Sequence, residues 1–486
     1  MDYRFVNFGD EGTGVTSLQE VDELNKALEA GSGYSGAPTA LTGGGALQVE
    51  SLDRSLKSVT YEMKNLKMWP IMPKDQAFNT IEEYNRQNAY GDQGKGFIAE
   101  GDLPRSEDSS YSRHIQRVRF IGVTRELTHV YTLVRNAHGD AIAREIKSGT
   151  MRILEIAERN LYDGRGQYSN AGLFDGSDSA ILDSDLSWEG LDKQIRAGDA
   201  DASAKAQAFN GYGADESVIR DQRGAILDED ALEDGARIVY ENFGMPNHLS
   251  LDTKSHSDLA KQFYPKERIN NMGVMNGRAG FVLQEFVSSA GAFSLNSNVF
   301  IRPKRQAKLA VNGAPAAPGA LTPSANAPTV ADSKFAAADA GDYTYVASAI
   351  NKEGEGSPSA VSAAATVAAG GSISILIPAT VGAFAYAVYR SAESAVLGHE
   401  FIGFVAPAVV GGAATMEDLN QKLPGLSQAY LCSMDSEVMR FKQLAPLMKL
   451  DLAIIATAYR WAQLLYGTPV VFTPRKCLIF ENIGRS

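Results

Sequence analysis

The chain has 486 residues, 44% hydrophobic and 21% charged, the composition of a globular protein with room for roughly two to four domains. Its net charge of -12 disfavours a general nucleic-acid-binding role through a basic field. Only two cysteines occur, the start Met1-Asp2-Tyr3-Arg4-Phe5 lacks the order of a signal peptide, and Arg460 and Gln463 interrupt the apolar run from Leu452 to Leu465, so a soluble protein made in a reducing cytoplasm is expected.

In chain order, Val15, Leu18, Val21, Leu24 and Leu28 share one helical stripe, followed by a Gly/Ser/Ala linker from Gly31 to Gly45. Val49, Leu52, Leu56, Val59, Met63 and Leu66 then alternate three and four apart. That narrow seam predicts a second helix, which either lies along a partner or packs on its own core. Lys67-Met68-Trp69-Pro70 reads as its close. Ile81 to Arg86 and Tyr111 to Phe120 read as two strands around a polar tip, Gly91 to Ser110. A two-stranded ribbon is marginal alone, so this one is expected to find its packing surface on another copy of the chain.

A long helix is predicted from the cap Asn136 to Asp163-Gly164, with Ile142, Ile146, Ile153, Ala157 and Leu161 on one face and Gly149 as a costly interior residue. Residues 165–225 read as loops with short elements. A helix from Asp228 buries Leu232, Ala236, Val239 and Phe243 and stops at Gly244-Met245-Pro246. A strand at Leu249-Ser250-Leu251, a helix through Leu259 and Phe263, and strands at Gly280–Leu283 and Asn298–Ile301 about a turn at Ser289-Ala290-Gly291 follow.

Composition changes near residue 306. Residues 311–420 carry 12 charged residues, against 80 in the first 310, and show strand-like runs at 343–347, 373–377 and 386–390 between Gly/Pro/Ser turns. This predicts a small β-sandwich entered at Pro315 and Pro318 and left at Leu423-Pro424-Gly425. The charged α+β style then resumes, so the module is an insertion into a host domain.

Patterns for catalysis fail on context. Gly31-Ser32-Gly33-Tyr34-Ser35-Gly36 has dinucleotide-loop spacing but follows a helix and precedes Pro38; Gly94-Lys95-Gly96 lacks the rest of a phosphate loop. No serine sits in nucleophile-elbow spacing. His248 and His256 read as solvated loop histidines rather than a metal pair, and Cys477 as a small core residue. Acidic pairs such as Glu82-Glu83 and Glu229-Asp230 read as solvated faces. No cofactor, metal or catalytic residue is expected.

With its pieces in this order, the chain resembles a tailed-bacteriophage major capsid protein of the Hong Kong 97 type. The stretches that carry the resemblance are Phe97-Ile98-Ala99-Glu100-Gly101-Asp102-Leu103-Pro104, Val287-Ser288-Ser289-Ala290-Gly291, Tyr466-Gly467-Thr468-Pro469-Val470 and Phe480-Glu481-Asn482-Ile483. The resemblance implies an α+β fold with an N-terminal arm (1–66), an extended loop (67–134), a spine helix with the first part of the peripheral and axial domains (135–305), and their C-terminal part (426–486). Residues 306–425 resemble an immunoglobulin or fibronectin type III-like insertion, without its Trp or cysteine pair. The implied function is a subunit of hexamers and pentamers in an icosahedral head around double-stranded DNA, assembled in a host bacterial cytoplasm. A separate scaffolding protein, a portal and possible decoration proteins are its implied partners. Candidate inter-subunit contacts are Leu52, Leu56, Val59 and Met63 on the arm, with Trp69, Tyr84, Phe97, Arg105, Tyr111 and Arg113 on the loop. Lys95 lacks a matched Asn and Glu for the cross-link some members make. A cell-surface or secreted adhesin with an immunoglobulin-like domain and an enzyme with an unrecognised site are the alternatives.

Overall fold

The structure, a computed structural model, describes residues 60–91, 97–103, 106–134, 139–164, 187–200, 216–270, 283–301 and 312–484, apart from 328–329, 331, 352, 396 and 454–456. The chain divides into a small unit (1–59 with 130–141) and a large one (60–129 with 142–486). The expected arm helices through Val59, and the cap at Asn136, lie outside the described residues.

The seam helix does not run to Leu66. Met63–Asn65 form a single 3-10 turn, Leu66 is extended and buried, and Trp69-Pro70 lie inside a four-residue helix, α1 (Met68–Ile71), rather than at the close of a longer one. Strands β1 (Lys74–Gln76), β2 (Ile81–Ala89), β3 (Ser110–Arg117) and β4 (Arg119–Thr128) follow, then α2 (His129–Leu133). β2 and β3 form the expected antiparallel ribbon, but its return limb ends at Arg117. β4 leaves it to join a different sheet.

The spine is α3 (Ala141–Asp163), with Ile153, Ala157 and Leu161 fully buried, while Ile142 and Ile146 are only half-buried. Within the stretch expected to be loops with short elements, α4 (Leu191–Ala200) is a helix that buries Leu191 and Ile195, and β5 (Ile219–Asp221) is a short strand. α5 (Glu229–Glu241) starts where Asp228 accepts a hydrogen bond from the Ala231 N–H, as its capping pattern predicts. It closes in a Schellman turn: the Gly244 N–H donates to Val239 and the Phe243 N–H to Tyr240. Phe243, not Gly244, takes the left-handed position at φ 60. Its ring therefore leaves the helix face and is exposed, contrary to the expectation that it is buried. β6 (His248–Leu251), α6 (Thr253–Asn270), β7 (Glu285–Ser288) and β8 (Gly291–Ser297) complete this half. The hairpin strands lie closer to the Ser289–Gly291 turn than expected, and Asn298–Ile301 is irregular because Asn298 turns inward (below).

Apart from a 3-10 turn at Ala337–Asp339, the regular elements among the described residues of the inserted region are strands: β9 (Thr322–Asn326), β10 (Gly341–Tyr343), β11 (Tyr345–Ile350), β12 (Glu355–Pro358), β13 (Ala365–Val367), β14 (Ser372–Ile377), β15 (Ala385–Arg390), β16 (Glu400–Val405) and β17 (Ala414–Asp418). β12-β11-β15-β16 make one antiparallel sheet, β17-β14-β9 a second, and β10-β13 a small pair. The core draws on both larger sheets, with Tyr345, Ala347, Ile373, Ile375, Tyr386 and Val388 fully buried. Arg390 is buried too, but paired: it donates to Asp418 at 2.8 Å and to Asn420 at 2.7 Å, and Tyr345 donates to the same Asp418. The module is fastened to its host by Arg223, which donates to the Asn420 and Lys334 carbonyls and to Asp339. Asn482 adds bonds to Gln421 and Leu423.

After the module come β18 (Ser427–Cys432), β19 (Met439–Asp451), β20 (Ala458–Val471) and β21 (Cys477–Ile483). The long β19–β20 hairpin carries β1 on one side and β4 on the other. The remaining strands form a six-stranded mixed sheet, β5-β21-β18-β6-β8-β7. Helices α3, α4, α5 and α6 contribute to the core of this sheet through Leu161, Ile195, Leu232 and Leu259, all fully buried. At two glycines a side chain would force a neighbour to move. A Cβ at Gly235 would meet the Phe480 ring at 2.5 Å, and one at Gly149 would meet Gln463 Oε1 at 1.9 Å.

Candidate functional site

The ribbon is built by pure alternation. β3 exposes Tyr111, Arg113, Ile115 and Arg117 and half-buries the residues between, while β2 alternates in step, so the ribbon has two distinct faces. The inner face rests on its own chain. Tyr84 stacks on His114 and meets Phe472 edge-on at 5.1 Å; Arg86 donates to the Phe472 carbonyl and to Tyr84. Gln116 donates to Glu189 at 3.0 Å, and Lys442 bridges Glu82 at 3.1 Å and Asp75 at 2.9 Å. Contact with Lys442, then with the Gln76 N–H and Arg440, holds the Asp75 carboxyl down at about 2. The expectation that the ribbon packs only on another copy is therefore corrected for its inner face.

The outer face and the tip have no such cover among the described residues. Phe97 is 97% exposed, Tyr90 89%, Leu103 88% and Phe78 86%, with Tyr111 and Ile115 also open. These apolar side chains lie on the ribbon or beside its strands and face solvent among the described residues. Arg113 reaches Glu83 at 3.3 Å in an exposed pair, worth about 0–1 kcal/mol.

The candidate contacts thus divide. Phe97, Tyr111, Arg113 and Met63 are on the surface. Trp69 and Tyr84 are engaged within the subunit: Trp69 packs edge-on against Phe441 at 4.8 Å beneath Lys74. Leu52, Leu56, Val59 and Arg105, like the Lys95 side chain, lie outside the described residues.

The root of the ribbon is fixed by a buried cluster that the sequence pattern did not reveal. Glu158, on the spine, accepts the backbone N–H groups of Lys67, Met68 and Trp69 at 3.1, 2.8 and 2.7 Å and Asn298 Nδ2 at 2.6 Å. Its charge meets the N-terminal amides of α1, where a carboxylate is favoured. Asn298 also donates to Tyr162, which donates to Ser250. One fully buried carboxylate thereby ties the arm's exit, the spine and the six-stranded sheet. A Glu on the apolar side of α3 was the available signal.

His248 is buried in β6 rather than solvated in a loop. Asn296 donates to its Nδ1, which places the proton on Nε2, facing Ser250 Oγ at 3.0 Å. No group of three or more His, Cys, Asp or Glu among the described residues could hold a metal. No helix of the described residues is long and apolar enough to cross a membrane.

No family model matches the chain. It is 22% identical over 478 residues to a putative major capsid protein of Enterococcus phage phiEF24C, covering 96% of both chains. It is 21% identical over 464 residues to the major capsid protein of Staphylococcus phage K, covering 93% of both. Among solved structures, the capsid of cyanophage P-SCSP1u aligns over 92% of this chain and 96% of that one, with a TM-score of 0.45 and 6% identity. The capsid of a native GTA particle aligns over 90% and 96%, at 0.43 and 9% identity. The sequence relatives carry the assignment. Similarity that runs nearly end to end supports a phage capsid protein.

Proposed function

We propose that this chain is a major capsid protein with a Hong Kong 97-like fold, which self-assembles into the hexamers and pentamers of an icosahedral head around double-stranded DNA. The observation that carries the reading is the near full-length match to phage major capsid proteins. The open outer face of the ribbon supplies a physical reason: it leaves apolar surface that a neighbouring subunit would cover. The work is geometric rather than catalytic. Each subunit is held by several modest contacts at once, so no single interface has to be strong. The arm seam Leu52, Leu56, Val59 and Met63 and the loop residues Phe97, Arg105, Tyr111 and Arg113 are its contact set. Trp69 and Tyr84 serve by stiffening the loop's root. The all-β insertion is an immunoglobulin-like sandwich carried on the outside of the shell. A separate scaffolding protein and a portal are the expected partners in a bacterial host's cytoplasm, with decoration proteins as further ones.

Expression of the full chain with and without a scaffolding partner, followed by size-exclusion chromatography and negative-stain imaging, tests this. Rings or shells are expected from the wild type. Phe97→Asp with Tyr111→Asp should abolish them while leaving the far-UV spectrum of the subunit unchanged, since both side chains are exposed. A compact, inert monomer under all conditions refutes the assignment, and undiminished assembly by the double variant refutes the role of the ribbon.

A further inference from the structure

The chain's only two cysteines face each other. Cys432 ends β18, Cys477 begins β21, and they are direct partners in the antiparallel register. Opposed residues of such a pair point to the same face with Cα atoms about 4.5–5.5 Å apart. A disulfide spans about 4.4–6.8 Å. Both thiols are free and buried, at 1% and 0% exposure. Two cysteines out of 486 residues meeting at one register position is a specific arrangement, and packing alone does not require it. His248 is the register partner of Cys432 on the other side, but Ser250, Ser294 and Asn296 engage its ring nitrogens, so it is not disposed as a base for a reactive thiol. That points away from nucleophilic chemistry and towards a cross-link.

We propose that Cys432 and Cys477 are a latent intrachain disulfide, closed by a small disulfide oxidant when the start of β21 opens or before it docks. The thiolate of one cysteine attacks the oxidant's S–S bond, forming a mixed disulfide and releasing one small thiol. The second cysteine, as thiolate, then attacks the protein sulfur of that mixed disulfide. The Cys432–Cys477 bond forms and the second small thiol leaves. Two electrons pass from the protein pair to the oxidant, and the two protons end on the released thiols. In the closed sheet the mutual thiol hydrogen bond, with burial, holds Cys432 protonated, so the folded protein reacts slowly. Once made, the bond joins the interior strands β18 and β21 and encloses the whole β19–β20 hairpin. It constrains the unfolded chain and raises stability.

The full chain, purified reduced, is incubated with a mixture of oxidised and reduced glutathione in urea sufficient to open the sheet, then returned to buffer. Non-reducing digestion and mass spectrometry should recover the Cys432 and Cys477 peptides joined and two hydrogens lighter than their sum. Both free thiols should be lost together, and the product should unfold several degrees above the same sample after dithiothreitol. Cys432→Ala with Cys477→Ala should show no response to oxidant. Separate glutathione adducts, cross-linked dimers, or two thiols that stay reduced would each overturn the proposal. The comparison before and after reduction decides the matter in wild-type protein even if the double variant does not fold.

Discussion

His248 shows how one buried ring sets a pH limit. Its Nδ1 accepts from Asn296, an arrangement open only to the neutral imidazole, and burial pushes its pKa down to about 4. The unfolded chain takes up that proton near the ordinary value of about 6.5. The unfolded state thus binds more protons between the two values, and stability from this site is complete above about 6.5 and is lost as pH falls towards 4. The loss is at most about 3 kcal/mol. Urea titrations at pH 7 and pH 4.5 should show a midpoint drop in the wild type that is smaller in His248→Asn. Equal drops in both would assign the acid sensitivity to the carboxylates.

At the scale of elements, the spine and the β19–β20 hairpin meet through Gly149. Gln463 on β20 donates to the Ile146 carbonyl at 2.8 Å, and its side chain fills the space that a Cβ at Gly149 would need. Helix propensity favours Ala over Gly by about 1 kcal/mol. Here Gly149→Ala should nevertheless destabilise, because the clash is with a packed side chain. Adding Gln463→Ala should recover part of the loss, read as a non-additive double-mutant cycle in chemical unfolding. A stabilised single variant would show that the two elements part easily. This contact also marks where sequence reading stops. The 3.6-residue period gave the spine, and alternation gave the ribbon and the module strands. Both are local signals. Glu158 meets Lys67 across 91 residues and Asn298 across 140, and nothing in their own neighbourhoods announces it. The same limit explains why the expected return strand runs on to Phe120, two residues into β4, whose partner β20 lies over three hundred residues away. Phe243 was misplaced because its left-handed backbone overrides helical phase. On the site, the exposed Phe97 and Tyr111 followed from the strand pattern and family-like tip. The inward roles of Trp69 and Tyr84 did not, since aromatic residues suit an interface and an internal contact equally well.

Across the whole molecule, the module's attachment depends heavily on one side chain. Arg223 holds the Lys334 and Asn420 carbonyls and Asp339 at once. Arg223→Ala should speed tryptic cutting at Lys422 by about tenfold, the effect of losing roughly 1.4 kcal/mol of resistance to local opening. An unchanged rate would assign the hold to Asn482 instead.

The position of that module in the polypeptide also sets an order of events on the ribosome. Strands β6, β7 and β8 are made before it, whereas β18 and β21, which complete the same sheet, are made after it. Until then β6 presents an open edge and β5 has no strand to join. At about 5–20 residues per second, translating the roughly 180 residues from the end of β8 to the start of β21 takes on the order of 10–40 s. Throughout that interval each nascent chain carries half a sheet with an edge that an identical half could pair with.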